Sequence, residues 1–554
     1  MKLFIVLLTG AFMLATGTSD VFAKKKEKVQ TEAKSDTVRT ASKKRNTQYP
    51  RLFKNKRVVT KKGLITIHKI DDKLYFEFPK SLLGREFLMG SSISATSDNT
   101  SGLVGQTMTT PLHIRFAIQE DQVYMQNVTP VSRMDVYSNQ SDISKAVAKS
   151  NITPDMESFK IAAYNMDSTA VVFEVTKFFL ADNKRLPLFD QNSSSLEDEK
   201  YGQLELKAVL KKNLSSIRNF YVFDDNLEIN LDMSFYQSLL ASKKEVRGGN
   251  VRVKAVYSML LLPEETMVWR LGDPRLGYTF TKKQKISTEK DGTAFSYLQH
   301  KWNLLPADEE AYRRGDLVAP RKPVVFYIDS DFPEAWKKAI KEGVNWWNEA
   351  FKMAGFKDAV QTADFPANDT TFYAGNLKYS CIRYVPVNLS KTQSKVWVDP
   401  RSGEIINGTI FVGHDIAKTI ASQRFVQTAQ VDERMRGIQL SEEVLLEGIR
   451  LYVAREVGHC LGLADNASAS AAFSVESLRS PEFTRQNGIA SSVMDELPYN
   501  YIAQPQDGKA DFIQNKLGAY DLFAIQMGYM LVPDAKTPEE IREKIMRWVS
   551  MKSG

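Results

Sequence analysis

Apolar and polar residues largely alternate in two short runs near the start of the ordered-looking sequence, "LITIHKI" and "LYFEF", separated by Asp71-Asp72. Alternation at period two puts successive side chains on opposite faces of a strand, and the acidic pair marks a turn, so a hairpin is predicted. Short runs of the same kind continue to about residue 305: "LHIRFAIQ", "DQVYMQNV", "AVVFEVTKFF", "LEINLDMSF" and "VRVKAVYSML", split by Asn, Asp, Gly and Ser. They predict an all-β region, a sandwich or a layered sheet, without internal repeats. His68, His113 and His300 fall in this part at no ligand spacing and read as ordinary strand or surface histidines.

The period changes after the charged, proline-bounded stretch 307–323. "VVFYID" is a compact apolar strand, and Pro333 then opens a helix. Trp336, Ile340, Trp347, Phe351 and Ala354 recur at helical spacing as far as Gly355. "DAVQT" is the next strand, and "VWV" and "EIINGTIFVG" are two more, joined by the turn residues "DPRSG". A second long helix begins near Ser441, with Glu442 and Glu443 in the first turn, where the helix dipole favours negative charge. The fold class is therefore α+β: a β-rich N-terminal region, then an α/β domain built of a twisted sheet with two long helices. The predicted boundaries are 63–99 for a small β-hairpin domain, 100–306 for the β-rich domain, 322–533 for the α/β domain and 534–554 for a C-terminal helix.

Composition adds an export reading. Residues 1–23 carry Lys2, then an apolar run too short to span a bilayer comfortably, and end in Val21-Phe22-Ala23, as a cleaved signal peptide does. This predicts a periplasmic or secreted protein, with no transmembrane segment after cleavage. The formal charge of +8 is not spread evenly: residues 24–62 hold 15 Lys/Arg against Glu27, Glu32 and Asp36, which leaves 8 − 12 = −4 for the chain from Gly63 onward. The basic tail reads as a disordered linker suited to touching an anionic envelope surface. The slightly acidic body of an exported chain gives no reason to expect nucleic acid. Cys381 and Cys460 are the only cysteines, too few for a disulfide framework, and their pairing stays open.

The chemistry is concentrated in "AREVGHCLGLADN", Ala454 to Asn466. Leu445, Ile449, Tyr452, Glu456 and His459 share one helix face, apolar until it reaches a carboxylate and an imidazole. In zinc peptidases two histidines at i and i+4 hold the metal while the intervening glutamate acts on a metal-bound water. The metzincin version adds a glycine three residues later, a third ligand three beyond that, and a methionine turn beneath the site. Here Glu456, His459 and Gly462 match, Asp465 stands at the third-ligand position, and Met494 follows in "SSVMDELPYNY". The first ligand position, however, holds Arg455, whose guanidinium has no lone pair to offer.

The chain resembles the bacterial secreted zinc-dependent metalloproteases with tandem domains of unknown function and a metzincin-like catalytic part. The strings that carry the likeness include "KGLITIHKIDDKLYFEFPKSLLGREF", "DPRLGYTF", "VDPRSGEI", "SLRSPEFT", "YNYIAQPQDG" and "LGAYDLFAIQMGY". The resemblance implies zinc as the family cofactor, Glu456 as general base, His459 as a zinc ligand, and "EIINGTIF" as the edge where substrate peptide pairs. The family has histidine at both 455 and 465; Asp465 is an acceptable ligand and Arg455 is not. Family members also continue beyond the point corresponding to Gly554, which implies that part of the usual C-terminal architecture is missing.

Three functions follow from this pattern. The first is a metzincin-fold pseudopeptidase in which Arg455 takes the place of the metal charge beside Glu456 or Asp465, zinc is absent or weakly held, and the cleft binds a peptide or protein. The second is an active zinc metalloendopeptidase with an atypical ligand set, drawing on His414 or on Cys460, which lies about 100° round the helix from His459. The third is an envelope or glycan-binding protein acting through its β-rich region. Each residue also has an ordinary role open to it: Glu456 and Asp465 as salt-bridge partners of Arg455, His459 as a hydrogen-bonded core histidine, Met494 as packing and Gly462 as a helix C-terminal residue.

Overall fold

The computed structural model describes residues 48–552, apart from 100–101, 106, 129–133, 137–144, 147–148, 190–195, 199, 201, 287–293, 370–371, 388–391, 438, 509, 533 and 536. The signal-like segment, and the basic run as far as residue 47, lie outside the described residues.

The last third of the supposed linker is folded. Residues 48–53 form a helical turn whose Tyr49, Leu52 and Phe53 pack against Ile70, Tyr75, Ala163 and Val172. Val58–Lys62 then pairs antiparallel with Thr66–Ile70. The charged residues of this stretch concealed three apolar anchors, and their burial outweighs the repulsion that the net charge suggested.

Hairpin Thr66–Ile70 and Lys73–Pro79 forms as predicted, turning at Asp71 with φ 53°. Thirteen strands form one sheet running from Val58 to Leu261, and strand Glu86–Thr96 sits inside it, between Leu112–Gln119 and Lys244–Leu261, so the two predicted β units share a sheet across residue 99. The phenylalanines Phe76, Phe78, Phe87, Phe116 and Phe173 from neighbouring strands meet edge-on or tilted in its core. The longest hairpin, Asn226–Ala241 with Lys244–Leu261, turns through Ser242 and Lys243, both at positive φ (48° and 67°), the geometry that matches strand twist.

The second sheet has five strands in the order Val360–Asp364, Val324–Ile328, Ser380–Val385, Glu404–Gly413, Thr392–Asp399. The first four are parallel neighbours and the last is antiparallel. Parallel pairing demands a crossover, supplied by the helices Glu334–Asn345 and Trp347–Met353, which break at Trp346 where one continuous helix was predicted. These helices pack against the second long helix, Glu442–Cys460, which Ser441 caps as expected. The domain's core extends past both predicted boundaries. Leu276, Tyr278 and Leu304 on one side, and Ile545 and Val549 of the C-terminal helix Pro538–Lys552 on the other, join the cluster of Trp347, Val457 and Met494. Among the described residues no helix is long and apolar enough to cross a membrane.

Candidate functional site at the end of the long helix

The Glu442–Cys460 helix buries Val444, Ile449, Val453, Ala454 and Val457, while Trp347 donates its indole N–H to Ala454 O at 2.9 Å. After Leu461 the chain turns at Gly462, which adopts φ +96° with His300 O where a side chain would stand. The outgoing residues are then held as an extra strand: Gly462 O accepts from Thr279 N at 2.8 Å and Ala464 N donates to Gly277 O at 2.8 Å. This clamp returns Asp465 to the end of the helix.

There, Arg455 Nη2 donates to Asp465 Oδ1 at 2.5 Å, and the same oxygen lies 3.3 Å from His459 Nε2. His459 Nδ1 lies 3.0 Å from Leu463 O; a carbonyl only accepts, so Nδ1 carries the proton and Nε2 points towards Asp465. This is the ring orientation that second-shell bonds give metal-binding histidines. Glu456 is buried and its Oε1 accepts from Thr392 Oγ1 at 2.9 Å. Arg455 Nε is buried without a hydrogen-bond partner among the described residues. A cavity of about 210 Å³ adjoins Arg455, lined also by Tyr452, Val493, Leu497, Pro498 and Gln514.

Met494 is buried beneath Gly458, and its carbonyl accepts from Asn466 N at 2.9 Å. The turn that carries it is tied down by Asp521, whose carboxylate accepts from Ser492 Oγ at 2.5 Å and from Val493 N and Gly518 N at 2.8 Å. The structure thus brings together Arg455, Glu456, His459, Gly462, Asp465 and Met494. It does not bring in His414, which is exposed, accepts or donates at 2.6 Å to Tyr384 OH and stacks on Trp336. Cys460 is directed into the sheet against Gly408. Cys381 and Cys460 are both free and buried, and burial pushes the Cys381 thiol up to about 12.

One expectation is corrected. Glu404–Gly413, the supposed substrate-pairing edge, is an inner strand; the edge is Thr392–Asp399. Only strand order decides which of two adjacent strands is outermost, and the hydrophobic pattern does not contain it. The structure also gives parts to Thr392 and Asp521, which the sequence did not single out, and to Trp347, which it marked only as a residue of the first helix's apolar face. Asp521 lies inside the "LGAYDLFAIQMGY" string, a signal that marked the segment without giving its task.

The donor set does not fit a zinc ion. Arg455 cannot ligate, its guanidinium already holds the carboxylate that would, and no group of three His, Cys, Asp or Glu side chains converges among the described residues.

A helix that ends in this glycine turn, over a buried methionine, defines a metzincin-like protein. Residues 437–554 match the family model described as Met-zincin, so the chain carries a Met-zincin domain. Residues 105–307 match a domain of unknown function (DUF5117) and residues 47–96 another (DUF5118). No curated protein and no solved structure matches the chain.

Proposed function

We propose that this chain is an exported metzincin-fold pseudopeptidase that binds a peptide or protein segment in its cleft without a catalytic metal. One observation carries the reading: the Arg455 guanidinium is bonded to Asp465, and that carboxylate also faces His459 Nε2. A cation is therefore supplied by the chain itself beside the carboxylate and imidazole that would otherwise require one. Glu456, the residue placed to act on a nucleophilic water, is occupied by the Thr392 hydroxyl at the first position of the edge strand. An outermost antiparallel strand beside the site offers backbone groups for an extended peptide, the mode in which sheet edges take ligands.

Metal analysis of purified protein is the test. Zinc well below one ion per chain is expected, and no casein hydrolysis above that of a Glu456→Gln control. The double change Arg455→His with Asp465→His is expected to bring zinc to one per chain. One tightly held zinc in the unmodified protein would overturn the proposal.

A further inference from the structure

A second cavity, of about 420 Å³, opens between residues 266–270, lining residues between 303 and 313, the residues Leu531, Val532, Asp534 and Ala535, and Ile541 in the first turn of the C-terminal helix. None of the residues of the site at the end of the long helix lines it. Met267, Leu304, Leu531, Val532 and Ile541 make its walls apolar, and its size falls in the range of small-molecule sites, roughly 300–1,000 Å³.

Two cations sit at its floor, Arg270 and Lys301, exposed by only 5% and 6%. Their situations differ. Arg270 is tied down, its two terminal nitrogens donating at 2.7 Å to Met527 O and Met530 O, carbonyls at the end of helix Ala519–Tyr529 that would otherwise be unpaired. Lys301 is not: among the described residues its Nζ has no hydrogen bond and no ion pair, and its one close partner is the Tyr529 ring, 5.3 Å to the centroid. A buried ammonium beside a guanidinium, with no carboxylate bonded to it, is costly to keep. Burial, and then the Arg270 charge, push its pKa well below that of an ordinary lysine, with Glu404 pulling it back up, so a carboxylate bound at Nζ would favour the charged form. The charges at the rim are already spent on one another, Arg313 on Asp534 at 3.4 Å and Arg321 on Glu309 at 2.8 Å.

We propose that this cavity binds a small monocarboxylate with an apolar tail, the carboxylate on Lys301 Nζ and the tail along Met267, Leu304, Leu531 and Ile541. A single negative charge satisfies the one uncommitted cation. A polyanion such as a phosphate ester would meet Glu309 and Asp534 at the mouth. A fatty acid and the C-terminal residue of a peptide with an apolar side chain share this chemistry.

Isothermal titration of the full chain at pH 7 separates the sources, with octanoate for the lipid and N-acetyl-leucine for the peptide end; octylamine is the control of opposite charge. One of the two carboxylates is expected to bind at one site per chain, and octylamine not at all. Lys301→Met keeps the stem and removes the charge, and should weaken binding at least tenfold. Because it also removes an unpaired buried charge, it should melt no lower than the parent, so lost binding will not reflect lost fold. Leu305→Asp, at the exposed rim, should weaken both carboxylates without touching the floor. The proposal fails if neither carboxylate binds at millimolar concentration, if octylamine binds equally well, or if Lys301→Met binds like the parent.

Discussion

Met494 lies directly under Gly458, so close that a methyl group added to the glycine would overlap the methionine sulfur and press on the Trp347 ring. Gly458 is thus the point where the long helix rests on the turn below it. In an exposed helix, Gly→Ala stabilises by about 1 kcal/mol. Here the overlap reverses the sign, because inserting a methyl into a packed core costs typically 1–3 kcal/mol. Gly458→Ala should lower stability by about 1–2 kcal/mol in urea denaturation; a gain would show that helix and turn are not in contact.

From inside the core Asp521 accepts two hydrogen bonds from the turn, Ser492 Oγ and Val493 N, and a third from Gly518 N at the start of its own helix. Asp521→Ala strands two buried backbone N–H groups and should cost about 2–4 kcal/mol. Asp521→Asn should cost less, since its oxygen can serve both N–H groups while its NH₂ turns to the Ser492 hydroxyl. Equal losses in the two variants, measured by chemical denaturation, would show that volume and not hydrogen bonding is what matters there.

His300 links the Gly462 turn to pH. Its ring nitrogens lie 3.0 and 2.9 Å from the hydroxyls of Thr279 and Thr281, and burial lowers its pKa to about 4. Unfolded, the imidazole takes its proton near 6.5. Between those values the unfolded chain holds more protons, so the contribution to stability falls as pH drops from 6.5 to 4 and is constant below. The loss over that window is about 3 kcal/mol. The difference between His300→Gln and the parent is the right quantity, because burial raises Asp521 to about 6 and that group acts oppositely in the same window. The variant should gain 2 kcal/mol or more on the parent, roughly, between pH 7.5 and 4.5; parallel stability curves would exclude His300 as the source.

The two thiols give a test of the interior. Both cysteines are buried and unpaired, and burial raises the pKa of both thiols. A thiol reagent should find two reactive groups in the denatured chain and almost none in the native one, without prior reduction. Denatured chain that needs reductant before it reacts would mean the cysteines are joined.

Much of the site could be read from spacing alone. Glu456, His459, Gly462 and Asp465 lie within ten residues, and a helix followed by a left-handed glycine leaves them little choice but to meet. The hairpin at Asp71 and the strand–helix–strand unit opening at Val324 were equally legible, because their apolar periods are local. The folded end of the basic tail was not. Tyr49, Leu52 and Phe53 are too few for a period, and only the Ile70 and Tyr75 face waiting for them makes burial pay off. That the strands on either side of residue 99 share one sheet was not legible for a related reason, since strand alternation tells which face is buried and not which strand is next door.

The sequence by itself determined that a permanently charged guanidinium stands where a neutral donor belongs, since that is a property of one residue at one spacing. The tertiary structure decided what the charge is set against. Asp465 reaches Arg455 because the Tyr278 segment clamps the chain after Gly462, Thr392 reaches Glu456 because its strand is outermost, and Lys301 is buried beside another cation, Arg270, with no carboxylate bonded to it among the described residues. Each arrangement depends on a segment distant in the chain (Tyr278, the Thr392 strand or Arg270) and is settled by the free energy of packing the whole domain, which no short window of sequence contains.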